Sequence, residues 1–240
     1  MTITHRTLNQ IQALEAMGIT RWVARDSVPL EAEGGEVQNP EVVELAQAEV
    51  APVKVESMDW EPLQQQVASC DRCGLHLTRT QTVFGTGSQH ADWLIIGEAP
   101  GEQEDLQGVP FVGRAGILLN NMLQAIGLSR DAVYIANVVK CRPPGNRDPA
   151  AEESRACFDY LQRQVALLNP RLILVVGRIA AQTLLKTDTP VGKLRGRVHR
   201  YPDTHIPMVV TYHPAYLLRR PSEKKKSWED LKLALSTLKS

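Results

Sequence analysis

At 240 residues with 43% apolar side chains, the chain is long enough for one domain plus an appendage and too apolar to be disordered overall. Its formal net charge of zero hides an asymmetry: residues 1–59 hold ten Asp/Glu against four Lys/Arg, about −6, leaving about +6 on the rest, a balance that suits nucleic-acid binding and equally a solvated basic face. No apolar run approaches the roughly 20 residues that span a bilayer, and the stretch MTITHRTLNQ lacks an apolar signal core, so a reducing cytoplasm with few disulfides is the expected compartment.

Residues 7–25 place Leu8, Ile11 and Leu14 near helical spacing, and Gly18 reads as a helix stop followed by apolar Ile19 and Trp22. Residues 26–59 are Glu-rich and broken by Pro29, Gly34, Gly35, Pro40 and Pro52, which predicts a flexible acidic linker after a separate segment 1–25. The body is expected over 60–240. Strand-length apolar runs fall at 93–97 (WLIIG), 133–140 (VYIANVVK), 172–177 (LILVVG) and 208–212 (MVVTY), each bounded by Gly, Pro or polar residues. Helical patterns lie at about 114–126, 150–168, 178–186 and 223–238. That alternation predicts an α/β fold whose parallel sheet is covered on both faces.

The four cysteines are a C-x-x-C pair, Cys70 and Cys73, and two distant singles, Cys141 and Cys157. Zinc ribbons normally supply two close pairs, so this spacing suits an iron–sulfur cluster at least as well as zinc. Ligands of open parallel sheets bind outside the carboxyl ends of the strands. Glu98, Asn137 and His213 all fall there. An Asn amide can read a base edge that offers adjacent carbonyl and N–H groups. His213 can donate to a developing oxyanion, Glu98 can position water or stabilise an oxocarbenium-like sugar, and backbone N–H groups of the 98–101 turn can add donors. Phe111, in the Gly-flanked loop GVPFVGRAG, reads either as a stacking platform or as a core aromatic.

The motifs GEAPGEQED, PFVGRAG, NVVKCRPPGNRDP and YHPAYLLR, in this order, closely resemble those of the type-4 uracil-DNA glycosylases over about residues 60–240. The resemblance implies a three-layer α/β/α sandwich around a four-stranded parallel sheet, and a [4Fe-4S] cluster, structural in role, on Cys70, Cys73, Cys141 and Cys157. It implies hydrolysis of the N-glycosidic bond of uracil in DNA, single- or double-stranded, leaving an abasic site. By position, Glu98 falls on the catalytic carboxylate, Phe111 on the residue stacking on uracil, Asn137 on the residue reading its edge, and His213 on the histidine stabilising the leaving uracilate. Ala99, Pro100 and Gly101 belong to the substrate-binding turn. Tyr216, Leu217, Leu218, Arg219 and Arg220 resemble the loop that enters the duplex, with Leu217 or Leu218 filling the vacated space and the arginines holding phosphates. Lys140 and Arg142 are expected to add positive surface near the DNA. Glu104 and Asp105 also match.

Upstream, LEAMGITRW resembles the N-terminal peptide of the psi subunit of the bacterial clamp loader. That resemblance implies docking of residues 7–25 on the chi subunit, with Ile19 and Trp22 as anchors; an amphipathic helix capping the body is the other reading. Two functions from different classes follow. One is an active glycosylase with a monomeric body. The other is a psi-like subunit of the DNA polymerase III clamp loader that reuses the glycosylase-like body as a scaffold or DNA-binding module. The intact motif positions favour the first.

Overall fold

In the computed structural model, which describes residues 54–239, the four apolar runs form the middle of one sheet. The strands in chain order are β1 (Thr86–Gly87), β2 (Trp93–Gly97), β3 (Tyr134–Asn137), β4 (Leu172–Val176), β5 (Val198–Arg200) and β6 (Pro207–Thr211), arranged spatially as β1-β3-β2-β4-β6-β5. The inner pairs β3–β2, β2–β4 and β4–β6 are parallel. The two edges, β1 on β3 and β5 on β6, are antiparallel. The expected four-stranded parallel sheet is therefore the interior of a six-stranded mixed sheet. The edges escaped the sequence reading because one is two residues long and the other, VHR, carries no apolar run. Such short edges leave little unpaired backbone on which another chain can add.

Every residue of β2, β3 and β4 is buried, as continuous apolar runs in a doubly covered sheet require. Alternate side chains enter opposite cores. Leu94, Ile96, Ala136, Ile173 and Val175 face one core, with Leu63 and Val67 of α1 (Trp60–Ala68), Leu161 and Val165 of α4 (Ala151–Leu168), and Ala180 and Leu184 of α5 (Arg178–Leu185). Trp93, Ile95, Ile135, Leu172 and Leu174 face the other, with Leu119 and Leu123 of α3 (Arg114–Ala125), Leu217 of α7 (Pro214–Arg219), and Leu231 of α8 (Lys224–Lys239). The short helices α2 (Glu102–Gln107) and α6 (Val191–Leu194) complete the set. No described helix is long and apolar enough to cross a membrane.

From β2 the chain moves to β3 on one side and then returns to β4 on the other, so a topological switch point opens beside the carboxyl end of β2, where a crevice forms. The segments leaving β2, β3, β4 and β6 all emerge at that rim. The end of β6 is fixed from behind: Thr211 donates to Ser227 at 3.0 Å, and the buried Asp230 accepts from Arg195 Nε at 3.0 Å and Gly196 N at 3.1 Å. The expectations for residues 1–25 and 26–53, including Ile19 and Trp22, lie outside the described residues.

Candidate active site

A cleft of about 830 Å³ opens at this rim, and Glu98, Ala99, Pro100, Gly101, Phe111, Asn137 and His213 all line it. Gly97 pairs with Asn137 across β2 and β3, and a Cβ at Gly97 would stand 2.7 Å from Phe111 Cζ and closer still to Asn137 Oδ1. Asn137 is 2% exposed, and its Oδ1 is buried with no hydrogen-bond partner. A buried unpaired acceptor costs about 1–3 kcal/mol, so such an atom beside a cleft marks a place for a ligand donor.

Phe111 is held beside Gly97 in an unfavourable conformation. Its φ is +53°, the left-handed region that bulky residues rarely adopt, and such strain persists only where surrounding contacts over-determine it. Here they do. Arg130 donates to the carbonyls of Phe111, at 3.2 Å, and of Pro110. Glu104 Oε1 accepts from Val112 N at 3.0 Å and Gly113 N at 3.2 Å. Gly116 permits close passage of α3, because a Cβ there would collide with the Phe111 carbonyl. The Phe111 ring lies 5.5 Å from the His213 ring, tilted by 31°.

His213 is the N-cap of α7, and its Nδ1 accepts from Ala215 N at 3.1 Å. That bond assigns the proton of the neutral ring to Nε2, which is then a donor. Burial, assisted by the charge of Arg219, lowers the imidazole to about 4, so the ring is neutral near pH 7. Glu98 moves the opposite way. Burial raises its carboxyl to about 7, Asp148 adds to the rise, and Arg178 opposes it. Asp148 and Arg178 form an ion pair at the mouth of the same cleft.

The four cysteines converge on a second cavity, which all four line together with Arg79, Lys140 and Tyr160. Among the described residues no group of three or more His, Cys, Asp or Glu is arranged to hold a metal ion. The donor chemistry nevertheless fits a metal–thiolate group. Arg79 Nη1 donates to Cys141 Sγ at 3.1 Å and Lys140 N to Cys157 Sγ at 3.2 Å, the contacts that stabilise ligating sulfur. Burial pushes the Cys157 thiol up to about 12 and the Cys141 thiol up as well, so a bound cation has to supply the drive for ionisation.

A family profile described as the uracil DNA glycosylase superfamily matches residues 84–232. The type-4 uracil-DNA glycosylase of Archaeoglobus fulgidus is 42% identical over 184 residues, 74% of this chain and 92% of that protein. The type-4 uracil-DNA glycosylase of Thermotoga maritima is 40% identical over 182 residues, 75% and 94% of the two chains. The chain belongs to the type-4 uracil-DNA glycosylases. A type-5 uracil-DNA glycosylase of Thermus thermophilus is also similar, 36% identical over 118 residues, 43% of this chain and 53% of that protein. None of these relatives is a clamp-loader protein, and the clamp-loader reading gains no support from them.

In this glycosylase the loop after His213 divides its residues differently from the expectation. Leu217 is 1% exposed and packs in the core beneath α7, so it is unavailable to a duplex. Leu218, 37% exposed, points outward with Arg219 and Arg220, and Arg219 lines the cleft. Six residues of α7 are too few for periodicity to tell the two leucines apart. Tyr216 lines the cleft and stacks on Tyr212 at 5.0 Å. Lys140 adds no surface charge, being 1% exposed. Glu104 organises the Phe111 loop, and buried Asp105 accepts from Thr80 N at 3.0 Å. Asp148 and Arg178 were not singled out in the sequence. Arg178 lies two residues past the end of β4, so the strand-end rule that selected Asn137 and His213 applies to it too.

Proposed function

We propose that this uracil-DNA glycosylase holds a uracil extruded from DNA against Phe111, reads its edge with Asn137, and discharges the leaving base onto His213. A base inside a duplex is out of reach, so the nucleotide must leave the stack first. Leu218 is the residue free to fill the gap, and Arg219 and Arg220 meet phosphates. In the cleft, Asn137 Oδ1 accepts from the base N3–H and Nδ2 donates to O4. His213 Nε2–H donates to O2, where charge grows as the N-glycosidic bond breaks. Ionised Glu98 stabilises the sugar cation and takes a proton from the attacking water, which adds to C1′. The proton taken up by Glu98 passes through solvent to N1 of the departing uracilate, so the products are free uracil and an abasic site.

The observation that carries this reading is the orphaned Asn137 Oδ1, packed against Gly97 beside an aromatic ring held in a strained conformation. A base-release assay on uracil-containing DNA tests it. Asn137→Ala should lower kcat/KM by about 10²-fold, the worth of two hydrogen bonds in a dry site. Wild-type protein that releases no uracil from either single or double strands would sink the proposal.

Cys70, Cys73, Cys141 and Cys157 would hold a [4Fe-4S] cluster, which when bound cross-links the segment after α1, the segment after β3, and α4. Glycosidic hydrolysis transfers no electrons, so the group's contribution is structural. Cys157→Ser should bleach the absorbance near 400 nm and lower the melting temperature; a colourless wild-type protein carrying zinc would overturn the assignment. Docking of residues 7–25 on a chi subunit rests only on the resemblance of LEAMGITRW.

A further inference from the structure

Lys140 is among the largest fully buried side chains, yet among the described residues it forms no ion pair with a carboxylate. A buried ammonium without an opposing charge is costly, so its surroundings must compensate it. Its Nζ donates to Asn137 O at 2.8 Å and to Gln164 Oε1 at 2.6 Å. Its backbone N–H donates to Cys157 Sγ, and the next residue is Cys141. Lys140 and both cysteines line the same cavity.

The two acceptors of Nζ lie on opposite sides of the junction. Gln164 and Cys157 both come from α4, two turns apart on one face. Gln164 is itself fixed, donating to Phe84 O at 3.0 Å and Tyr134 Oη at 3.4 Å. Asn137 ends β3, and its side-chain Oδ1 is the unpartnered acceptor at the cleft. Lys140 therefore grips the backbone of Asn137 while the Asn137 side chain lines the cleft. The segment between them is also pinned, Val138 N donating to Gly97 O and Val139 N to Glu98 O, both at 3.0 Å.

We infer that Lys140 is a positioning residue that ties the four-cysteine site to the uracil-reading amide of Asn137. The inference rests on the base-reading role proposed above for Asn137. It makes the cavity wall and the cleft two ends of one strut: an anionic metal–thiolate group offsets the buried ammonium at one end, and the ammonium orients Asn137 at the other. Supporting partners of this kind typically carry 10–100-fold effects.

The holoprotein variant Lys140→Met keeps the side-chain length and removes the donors. In an equilibrium titration free uracil should bind it about 10-fold more weakly than wild type, and in the excision assay kcat/KM should fall chiefly through KM. Combined with Asn137→Ala it should bind uracil no worse than Asn137→Ala alone, because both changes act through one amide. The cluster's reduction potential should move negative, since a cation beside it favours the reduced, more negative form. Wild-type uracil affinity, additive losses in the double variant, or an unmoved potential would each overturn the strut. If Lys140→Met does not accumulate, Gln164→Leu removes one acceptor and leaves the ammonium in place; it should weaken uracil about threefold, and unchanged affinity would likewise overturn the inference. Uracil binding is read without turnover, so a wild-type protein that binds uracil but excises none would strike the glycosylase reading alone.

Discussion

Replacing His213 with alanine is expected to lower kcat by about 10²–10³-fold while leaving KM for uracil-containing DNA nearly unchanged. The asymmetry follows from where charge appears. In the ground state the base O2 is an ordinary carbonyl and gains little from a donor at Nε2. As the glycosidic bond lengthens, O2 becomes part of a uracilate anion, and a fixed donor in a dry site is then worth far more. The donor is fixed because Ala215 N–H occupies Nδ1, and the Phe111 ring, 5.5 Å away, supplies an apolar neighbour. With the imidazole near 4, His213 is neutral throughout the working range, so it contributes no acid limb above about pH 5. Single-turnover rates on wild type and variant separate this from slow product release; an equal rise in KM and fall in kcat would show that the histidine binds rather than stabilises the transition state.

Activity should rise with pH through the neutral range and level off, with an acid limb centred near 7 that belongs to Glu98. The sign is set by which form works. The ionised carboxylate is the active one, and burial with help from Asp148 has raised its value to about 7, so activity is full above that point and falls about tenfold per unit below it. Glu98→Gln should abolish the limb and lower the rate by about 10²–10⁴-fold. The flanking pair gives two opposed shifts. Asp148→Asn removes a negative neighbour and leaves Arg178 uncompensated, so the limb moves to lower pH. Arg178→Met leaves Asp148 unpaired, so the limb moves to higher pH. Limbs that move in the same direction, or not at all, would exclude Glu98 as the titrating group.

Much of this site was legible because strand ends are legible. Continuous apolar runs marked β2, β3, β4 and β6, and the rule that ligands sit beyond their carboxyl ends brought Glu98, Asn137 and His213 together before any coordinate did. What stayed hidden depended on contacts distant in sequence or on backbone angles. The positive φ of Phe111 is imposed by Arg130 and Glu104, neither of which announces itself as a clamp. Lys140, in VYIANVVK, reads as the polar end of a strand; only the packing of α4 against it turns it inward. Asp148 sits in an irregular loop whose path no periodicity foretells, and its importance comes from Arg178 thirty residues on. The edge strands were hidden for a simpler reason, since two or three residues carry no pattern.

The register of β2 against β3 places Gly97 opposite Asn137. Because side chains alternate with a period of two, a slip by one residue would send that amide into the opposite layer and replace it with its neighbour in sequence, Ala136 or Val138. With Asn137 in the base-reading role proposed for it, base choice is settled when the strands zip together during folding, well before DNA arrives. On that reading fidelity is a property of chain pairing, and damage to strand alignment deep in the sheet would surface as an error in which base is cut.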